Sequence, residues 1–522
     1  MQFHARLALA CGIILTCITI FGWVAFPNLI KSKIKTGVAL KPGNEIREMY
    51  MKIPFPITFK IYVFNVTNPN EVAKGQTPIV QEVGPFMFEE WRSKVFVSED
   101  EEDDTMTFFS KETFIFKPGT LTGNEVLTIP HPLIVAILLT VMRDKPSAMN
   151  LINKAMNSIF KKPQTPFMTA TFKEIFFDGV IVNCSVTDFA GKAVCTQLKT
   201  EGKDFQYIEE NVFKFSLLGS KNASASNKFK VKRGVKDYRD TGRVVEYNDM
   251  TELNVWTTKE CNQFRGTEGT IFPGLIPHGS DIPSFAAMLC RSMSARFIGD
   301  SKYNGIPVSR YTLDFGDQSS NEEDKCYCPA PDECMKKGAL DLRKCSGPIV
   351  ATMPHFYNSD PVYINGVKGI NPEKDKHELY LLFETMSGSP VSARNRLQFS
   401  IPFVPMPKID VMKNVPDTLV PMFWVEESID LNKTLTKPLK TLYTTMKTVR
   451  IISWLILVGT IGGLGYAGFL YYKRSREIHI TPVKNVSQKK DNVISTVMSK
   501  SDDGVKGGIS NPGVSDNEID KY

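Results

Sequence analysis

The sequence has no long apolar stretch between residues 27 and 450, whereas one such stretch precedes that interval and another follows it. An α-helix rises about 1.5 Å per residue, so roughly 20 apolar residues cross the hydrocarbon core of a bilayer, which is about 30 Å thick. Residues 7–26 and 451–472 meet this requirement. We therefore expect two membrane-spanning helices that hold one large water-exposed segment, residues 27–450, between them.

The sequence also lacks the usual signatures of catalysis. It contains no G-x-S-x-G elbow, no phosphate-binding loop and no H-E-x-x-H pair, and its six histidines are scattered. His278 stands close to Ser280 and Asp281, but residues so near in sequence do not generally converge as members of a catalytic triad do. We expect neither an enzyme nor a cofactor or metal site.

A strong excess of charge is absent as well. The formal net charge is +7 over 522 residues, which does not indicate nucleic-acid binding. Lys473, Arg474 and Arg476 directly follow the second apolar stretch, and cytoplasmic flanks are rich in such residues. Two spans put both ends of a chain on one side of the membrane. We therefore expect residues 1–6 and 473–522 to be cytoplasmic, with the latter disordered because it lacks apolar periodicity.

Glycosylation sequons and cysteines support an extracellular middle segment. The sequon asparagines are Asn65, Asn183, Asn222 and Asn432. Of the ten cysteines, Cys11 and Cys17 fall in the first apolar stretch and the other eight lie in the middle segment. An even set in an oxidising compartment is typical of disulfides, although sequence alone leaves the pairing open. The alternative, a zinc site at the late cysteines, fits that compartment poorly.

Short strands dominate the middle segment. Residues 58–65 and 243–256 are rich in β-branched and aromatic side chains, which favours an antiparallel β-rich body. Residues 132–162 differ, because an apolar run precedes Pro146 and an amphipathic pattern with helical spacing follows it. We expect two helices there. They serve either as a cap over the β core or as a lid that contacts lipid through its methionines.

Small residues recur at fourfold spacing in the apolar stretches, as Gly459 and Gly463 in the second. Such faces allow two helices to approach closely. Packing between the two spans of one chain is the favoured interpretation. Self-association through Gly459 and Gly463 is the alternative.

Several motifs resemble the class B scavenger receptor family, whose members hold one glycosylated, disulfide-linked ectodomain between two spans. The matching stretches are Pro78-Ile-Val-Gln-Glu-Val-Gly-Pro85, Gly266-Thr-Glu-Gly-Thr-Ile-Phe-Pro273, Cys290-Arg-Ser292 and Met353-Pro-His-Phe-Tyr-Asn-Ser-Asp-Pro-Val-Tyr-Ile-Asn365. Within that family, Lys41-Pro-Gly-Asn-Glu-Ile-Arg-Glu-Met49 resembles most the insect sensory neuron membrane proteins.

The resemblance implies an α+β ectodomain: a twisted antiparallel β-barrel-like core with a helical apex and an internal apolar tunnel, beside the two transmembrane helices. It also implies disulfide pairs among the late cysteines. These pairs are Cys261 with Cys326, Cys290 with Cys345, and Cys328 with Cys334. Cys184 and Cys195 lie outside that set and are candidates for a further bridge.

In function, the resemblance implies a plasma-membrane receptor or co-receptor of sensory neuron dendrites. It would capture lipophilic small molecules, such as pheromones or other fatty-acid-derived odorants, and pass them through the tunnel to the membrane or an odorant receptor. An odorant-binding carrier protein is a further expected partner. The predicted ligand entry consists of Met149, Ile152, Met156, Lys161 and Lys162. The alternatives are general lipid or lipoprotein uptake and, from another class, a two-span ion channel.

Overall fold

The computed structural model describes residues 3–202 and 205–479. The chain divides into a large unit, Ile14–Val458, and a small unit formed by the described parts of residues 1–13 and 459–522. The predicted disordered tail lies outside the described residues from position 480 onward. Residues 473–479 belong instead to the last helix, which ends at His479.

Helices stand at both ends of the described chain and at intervals between the strands. They are α1 (Phe3–Ile20), α2 (Phe26–Gly37), α3 (Glu45–Met51), α4 (Pro69–Val72), α5 (Pro132–Asp144), α6 (Met149–Ile159), α7 (Phe189–Glu201), α8 (Lys259–Asn262), α9 (Pro361–Asn365), α10 (Lys374–His377) and α11 (Lys433–His479). A π-helical turn, Phe21–Ala25, joins α1 to α2.

The strands form the body of the large unit. They are β1 (Ile57–Val66), β2 (Val80–Asp100), β3 (Thr105–Phe116), β4 (Val126–Pro130), β5 (Phe167–Thr171), β6 (Val180–Asn183), β7 (Gln206–Glu209), β8 (Val212–Phe215), β9 (Ala225–Lys232), β10 (Val244–Tyr247), β11 (Ile282–Ala286), β12 (Arg291–Tyr303), β13 (Ile306–Thr312), β14 (Ala339–Asp341), β15 (Val350–Thr352), β16 (Tyr380–Glu384), β17 (Ser389–Phe403) and β18 (Thr418–Asp430).

One large antiparallel sheet curls into a nearly closed barrel. Its strands follow the order β10-β9-β3-β2-β1-β18-β17-β16-β13-β12-β11. Thr267 lies between the two edges, because it bridges to Arg243 beside β10 and to Ser284 in β11. The Phe285 N–H donates to the Thr267 carbonyl oxygen at 2.7 Å. The predicted β-barrel-like core is therefore confirmed, and the segment around Thr267 closes it.

A buried ion pair fixes this closing segment to β2. The Lys94 ammonium of β2 lies 3.4 Å from a carboxylate oxygen of Glu268, and both side chains are buried. Lys94 also donates to the Tyr50 carbonyl oxygen and to the Thr270 hydroxyl, at 3.0 and 2.9 Å. Burial lowers the pKa of Lys94, whereas Glu268 opposes that shift. Lys94 and Glu268 pair within the barrel, and the attraction between their opposite charges offsets the cost of removing each from water.

The predicted helices in residues 132–162 are confirmed as α5 and α6. Pro146 lies in the short 3₁₀ turn between them, since a proline cannot continue the hydrogen-bond pattern of the preceding helix. The predicted strand at residues 243–256 is shorter than expected. It ends at Tyr247 because Asn248 and Asp249 both take positive φ angles, 48° and 64°, and turn the chain.

Two helical stretches, Phe3–Gly37 and Lys433–Arg476, are long and apolar enough to cross a membrane. In the small unit, a Cβ atom added to Gly463 would lie 2.6 Å from the Cys11 sulfur. In the large unit, the rings of Trp23 and Trp454 lie 5.6 Å apart. Gly463 therefore faces the other helix of its own chain, whereas a Cβ on Gly459 would meet open space. Self-association stays a prediction.

Barrel closure gives a test at Gly266. This residue has a φ of +75°, and an added Cβ would lie 1.9 Å from the Pro283 carbonyl oxygen. We expect Gly266→Ala to lower the free energy of unfolding by more than about 1 kcal/mol, because both the backbone and the contact resist a side chain. The apparent melting temperature of the full-length protein in detergent measures the effect.

Gly269→Ala is the matched control. Its φ is +94°, but an added Cβ meets nothing within 4 Å. The control therefore reports backbone strain without the clash. Equal melting shifts in the two variants would contradict a special role for close packing at Gly266.

Candidate functional site

The barrel interior is lined by aromatic rings. Alternate residues of β1 are buried, which places Phe59 on the inward face together with Phe88 of β2. The Phe59 ring lies 6.3 Å from that of Phe88 and 4.8 Å from that of Phe114. Further rings continue this contact network, which we call the aromatic file. Its members are Phe59, Phe86, Phe88, Phe114, Phe116, Phe172, Phe176, Phe177, Phe399 and Phe423.

A charged cluster borders the aromatic file. Beyond Phe88, the inward face of β2 continues with Glu90 and Arg92. The Arg92 guanidinium donates to Glu90 and lies 2.9 Å from a carboxylate oxygen of Glu427 on β18. Burial raises the pKa of Glu90 to about 8; Arg92 opposes the shift, and Glu427 and Glu112 add to it. The interior thus offers apolar rings beside a buried polar group.

The predicted ligand-entry residues fall into two groups. Met149, Ile152 and Met156 are buried on one face of α6 and belong to the main hydrophobic core. This burial agrees with the core-filling alternative for the methionines. Lys161 and Lys162 are exposed and follow the end of α6 after one intervening residue, Phe160. Their role in ligand entry stays a prediction.

Both lysines adopt a backbone conformation that is unusual for side-chain-bearing residues. Their φ angles are 55° and 54°, and the Lys162 N–H donates to the Asn157 carbonyl oxygen at 2.9 Å. Asn153 and Asn157 donate to Asp410, at 2.9 and 3.2 Å, and hold α6 in place. Neither ammonium forms an ion pair with a described residue. The fold therefore presents two exposed ammonium groups, without an ion-pair partner among the described residues, just beyond the end of α6.

Eight cysteines form four disulfides in the large unit. The bonded pairs are Cys184–Cys195, Cys261–Cys326, Cys290–Cys345 and Cys328–Cys334. These are the pairs that the family resemblance implies, together with the further candidate bridge. Cys11 and Cys17 are unpaired in the described part of the chain.

The sequon asparagines differ in their surroundings. Asn183 and Asn432 are exposed. Asn65 and Asn222 are half-buried, and their side-chain oxygens accept from the backbone N–H groups of Thr128 and Phe114, both at 2.8 Å. The latter two side chains are therefore part of the folded structure around them.

A second polar cluster was not foreseen from sequence. It lies on the opposite face of the barrel wall from Phe59, where Glu82 accepts hydrogen bonds from His355 at 2.6 Å and from the Trp424 indole at 2.7 Å. The His355 and His377 rings stack with centroids 4.4 Å apart. His355 and Phe356 have φ angles of 53° and 55°. Glu82 and His355 belong to two of the motifs that match the family. This was the sequence signal that could have identified the cluster.

His377 gives a pH-dependent test. Burial and the neighbouring His355 lower its pKa from 6.5 to about 4, against the opposing charge of Glu82. Between about pH 6.5 and pH 4, His377 is protonated in the unfolded chain but neutral in the folded protein. The free energy of unfolding therefore falls as the pH drops through this range. We expect His377→Asn to lose less melting temperature than the wild type between about pH 7 and pH 5. Asn is chosen because its oxygen can accept from the Glu373 N–H, as His377 does.

His278→Asn is the control, because that histidine is exposed. It should leave the pH profile unchanged. Part of the acid sensitivity should persist in His377→Asn, since burial also lowers the pKa of His131 to about 4. A profile identical to that of the wild type would contradict the assignment.

Comparison with known proteins identifies the family of this chain. A model described as the CD36 family matches residues 9–471. Sensory neuron membrane protein 1 of Anopheles gambiae is 40% identical over 97% of this chain and 96% of its own length. The proteins of the same name from Aedes aegypti and Pediculus humanus subsp. corporis are each 42% identical. They cover 91% and 92% of this chain and 89% and 94% of their own lengths. The chain therefore belongs to the CD36 family, the class B scavenger receptors, and is a two-pass membrane receptor rather than a member of an enzyme family.

Proposed function

We propose that this receptor captures lipophilic ligands of the pheromone type, long-chain esters, aldehydes or alcohols, and passes them through the barrel to the membrane or to an odorant receptor. The aromatic file is the observation that carries this proposal. A long alkyl chain loses about 0.8 kcal/mol of favourable burial for each methylene that re-enters water. A continuous apolar path lowers that barrier. The receptor acts without a catalytic step.

The aromatic file is closely packed, with the Phe86 and Phe172 rings 3.6 Å apart. We propose that the tunnel opens when such rings rotate around a passing chain. Aromatic rings suit this task because they offer large apolar surfaces with few rotatable bonds. Entry would be near Met149, Ile152 and Met156, whose flexible side chains adapt to apolar partners.

The proposed topology leaves both termini in the cytoplasm and residues 27–450 outside the cell. The four disulfides of the large unit support an oxidising environment for that segment. Lys473, Arg474 and Arg476 support a cytoplasmic end for the second span. The relatives' name refers to sensory neurons, which supports a location in sensory neuron dendrites.

Lys161 and Lys162 are proposed to attract either an acidic carrier protein or the polar head of a ligand. The support is their exposure and the lack of an ion-pair partner among the described residues. Free cations at a surface increase the rate of encounter with acidic partners.

Glycosylation tests the proposed topology. We expect Asn183→Gln and Asn432→Gln each to remove one glycan, because both asparagines are exposed. Asn65→Gln and Asn222→Gln should remove none, since those side chains are half-buried. Gel mobility before and after glycosidase treatment measures occupancy. Residues 473–522 contain one further sequon, Asn485-Val-Ser487, and a glycan on Asn485 would contradict a cytoplasmic tail.

Charge reversal at the helix end tests ligand capture. We co-express the chain with an odorant receptor and record the onset and decay of responses to a lipophilic ester. When an acidic carrier protein delivers the ester, the double variant Lys161→Glu, Lys162→Glu should need on the order of tenfold more loaded carrier for a half-maximal response, because the glutamates repel the carrier that the lysines attract. Receptor alone gives the baseline.

Lys302→Glu is the matched control, because it reverses an exposed charge on β12. It should behave like the wild type. An equal loss in the control would show a general charge effect, and an unchanged double variant would contradict capture at Lys161 and Lys162. Kinetics that are the same with and without the wild-type protein would defeat the proposed function itself.

A further inference from the structure

One oxygen of Glu90 is buried without a hydrogen-bond partner. The residue is 0% exposed. Arg92 donates to the first carboxyl oxygen, Oε1, whereas no described group bonds the second, Oε2. An unpaired buried polar atom is destabilising, because it loses its hydrogen bonds to water and gains none in the protein. Such an atom in a barrel interior indicates a site for a group that the chain itself does not supply.

The position of Glu90 connects it to the aromatic file. It stands opposite Phe114 on β3 and opposite Ile57 on β1. Phe114 and Phe59 are neighbours in the aromatic file, with ring centroids 4.8 Å apart. A ligand whose alkyl chain lies along these rings therefore brings its polar end to Glu90.

Burial and the neighbouring carboxylates favour the protonated form of Glu90. Arg92 is shared between Glu90 and Glu427, and it stands opposite Glu112 in the register of β2 and β3. One guanidinium thus faces three carboxyl groups. Burial raises the pKa of Glu90 to about 8; Arg92 opposes this shift, whereas Glu427 and Glu112 add to it. The raised pKa favours the protonated form at neutral pH; in that form the group accepts from Arg92 through Oε1 and keeps one O–H to donate.

We propose that Glu90 donates a hydrogen bond from Oε2 to the oxygen of a neutral ligand head group, and that it selects esters, aldehydes or alcohols over carboxylates. This inference rests on the proposed function, since it concerns the ligand that occupies the same interior. A neutral carbonyl or hydroxyl oxygen accepts the proton without adding charge. A carboxylate would bring a third negative charge beside Glu427 and Glu112, which repel it.

The test compares three probes of equal chain length: an alkyl acetate, the hydrocarbon and the fatty acid. Binding is measured at neutral pH with the purified full-length protein in lipid nanodiscs. The wild type should bind the acetate more tightly than the fatty acid. Glu90→Leu should lower the affinity for the acetate on the order of threefold to tenfold, the value of one hydrogen bond. Its affinity for the hydrocarbon should not fall.

Two further variants separate recognition from stability. Glu90→Gln keeps a neutral donor and an acceptor for Arg92, so it should retain the preference for acetate over hydrocarbon. Glu89→Leu makes the same change on the outward face, where Glu89 pairs with Lys117. It should leave the preference unchanged as well.

The possible failures are distinguishable. If Glu90→Leu loses acetate and hydrocarbon equally, or if its preference equals that of the wild type, Glu90 does not recognise the head group. Loss of the preference in Glu90→Gln, or tighter binding of the fatty acid by the wild type, also overturns the inference. In each of these outcomes the proposed function survives. If the wild type binds none of the probes, the proposed function fails and this inference fails with it.

Discussion

Closure of the barrel depends on a short segment that is not itself a regular strand. Thr267 bridges the two edges of the sheet, and the next residue, Glu268, forms a buried ion pair with Lys94 of β2. An open sheet would expose unpaired backbone groups along both edges and let water reach the interior. Removing one member of a buried ion pair leaves an uncompensated charge, which is costly. The dry aromatic interior therefore depends on this bridge.

The barrel wall carries different chemistry on its two faces. On the inner face, the strands present the aromatic file and, next to it, Glu90 with Arg92. On the outer face of the same strands, Glu82 holds His355 and the Trp424 indole. Because side chains alternate along a strand, one stretch of sequence serves both purposes. The outer cluster fixes the backbone around His355, whereas the inner surface is left to meet a ligand.

Sequence reasoning succeeded where a local pattern carries the signal. The helical spacing after Pro146 predicts α6 and its buried face, β-branched and aromatic stretches predict the β-rich body, and the matching motifs predict the family. Sequence patterns were less informative where tertiary contacts determine the structure. Residues 243–256 contain suitable strand formers, but the chain turns after Tyr247. Met149 and Met156 are apolar at helical spacing, which fits a lid as well as a core, and only their packing in the main hydrophobic core shows that they are buried.

The sequence by itself determined the two apolar helices, the large segment between them, the helical interruption at residues 132–162 and the membership of the family. These depend on composition, periodicity and motifs, which are local properties of the chain. Only the tertiary structure decided that Gly266 and Thr267 close the barrel, and that Glu90 stands beside Phe114 with one oxygen unpaired. The physical reason is that strand register brings together residues that are far apart in sequence. Burial in the barrel then changes the pKa and the hydrogen bonding of a carboxyl group.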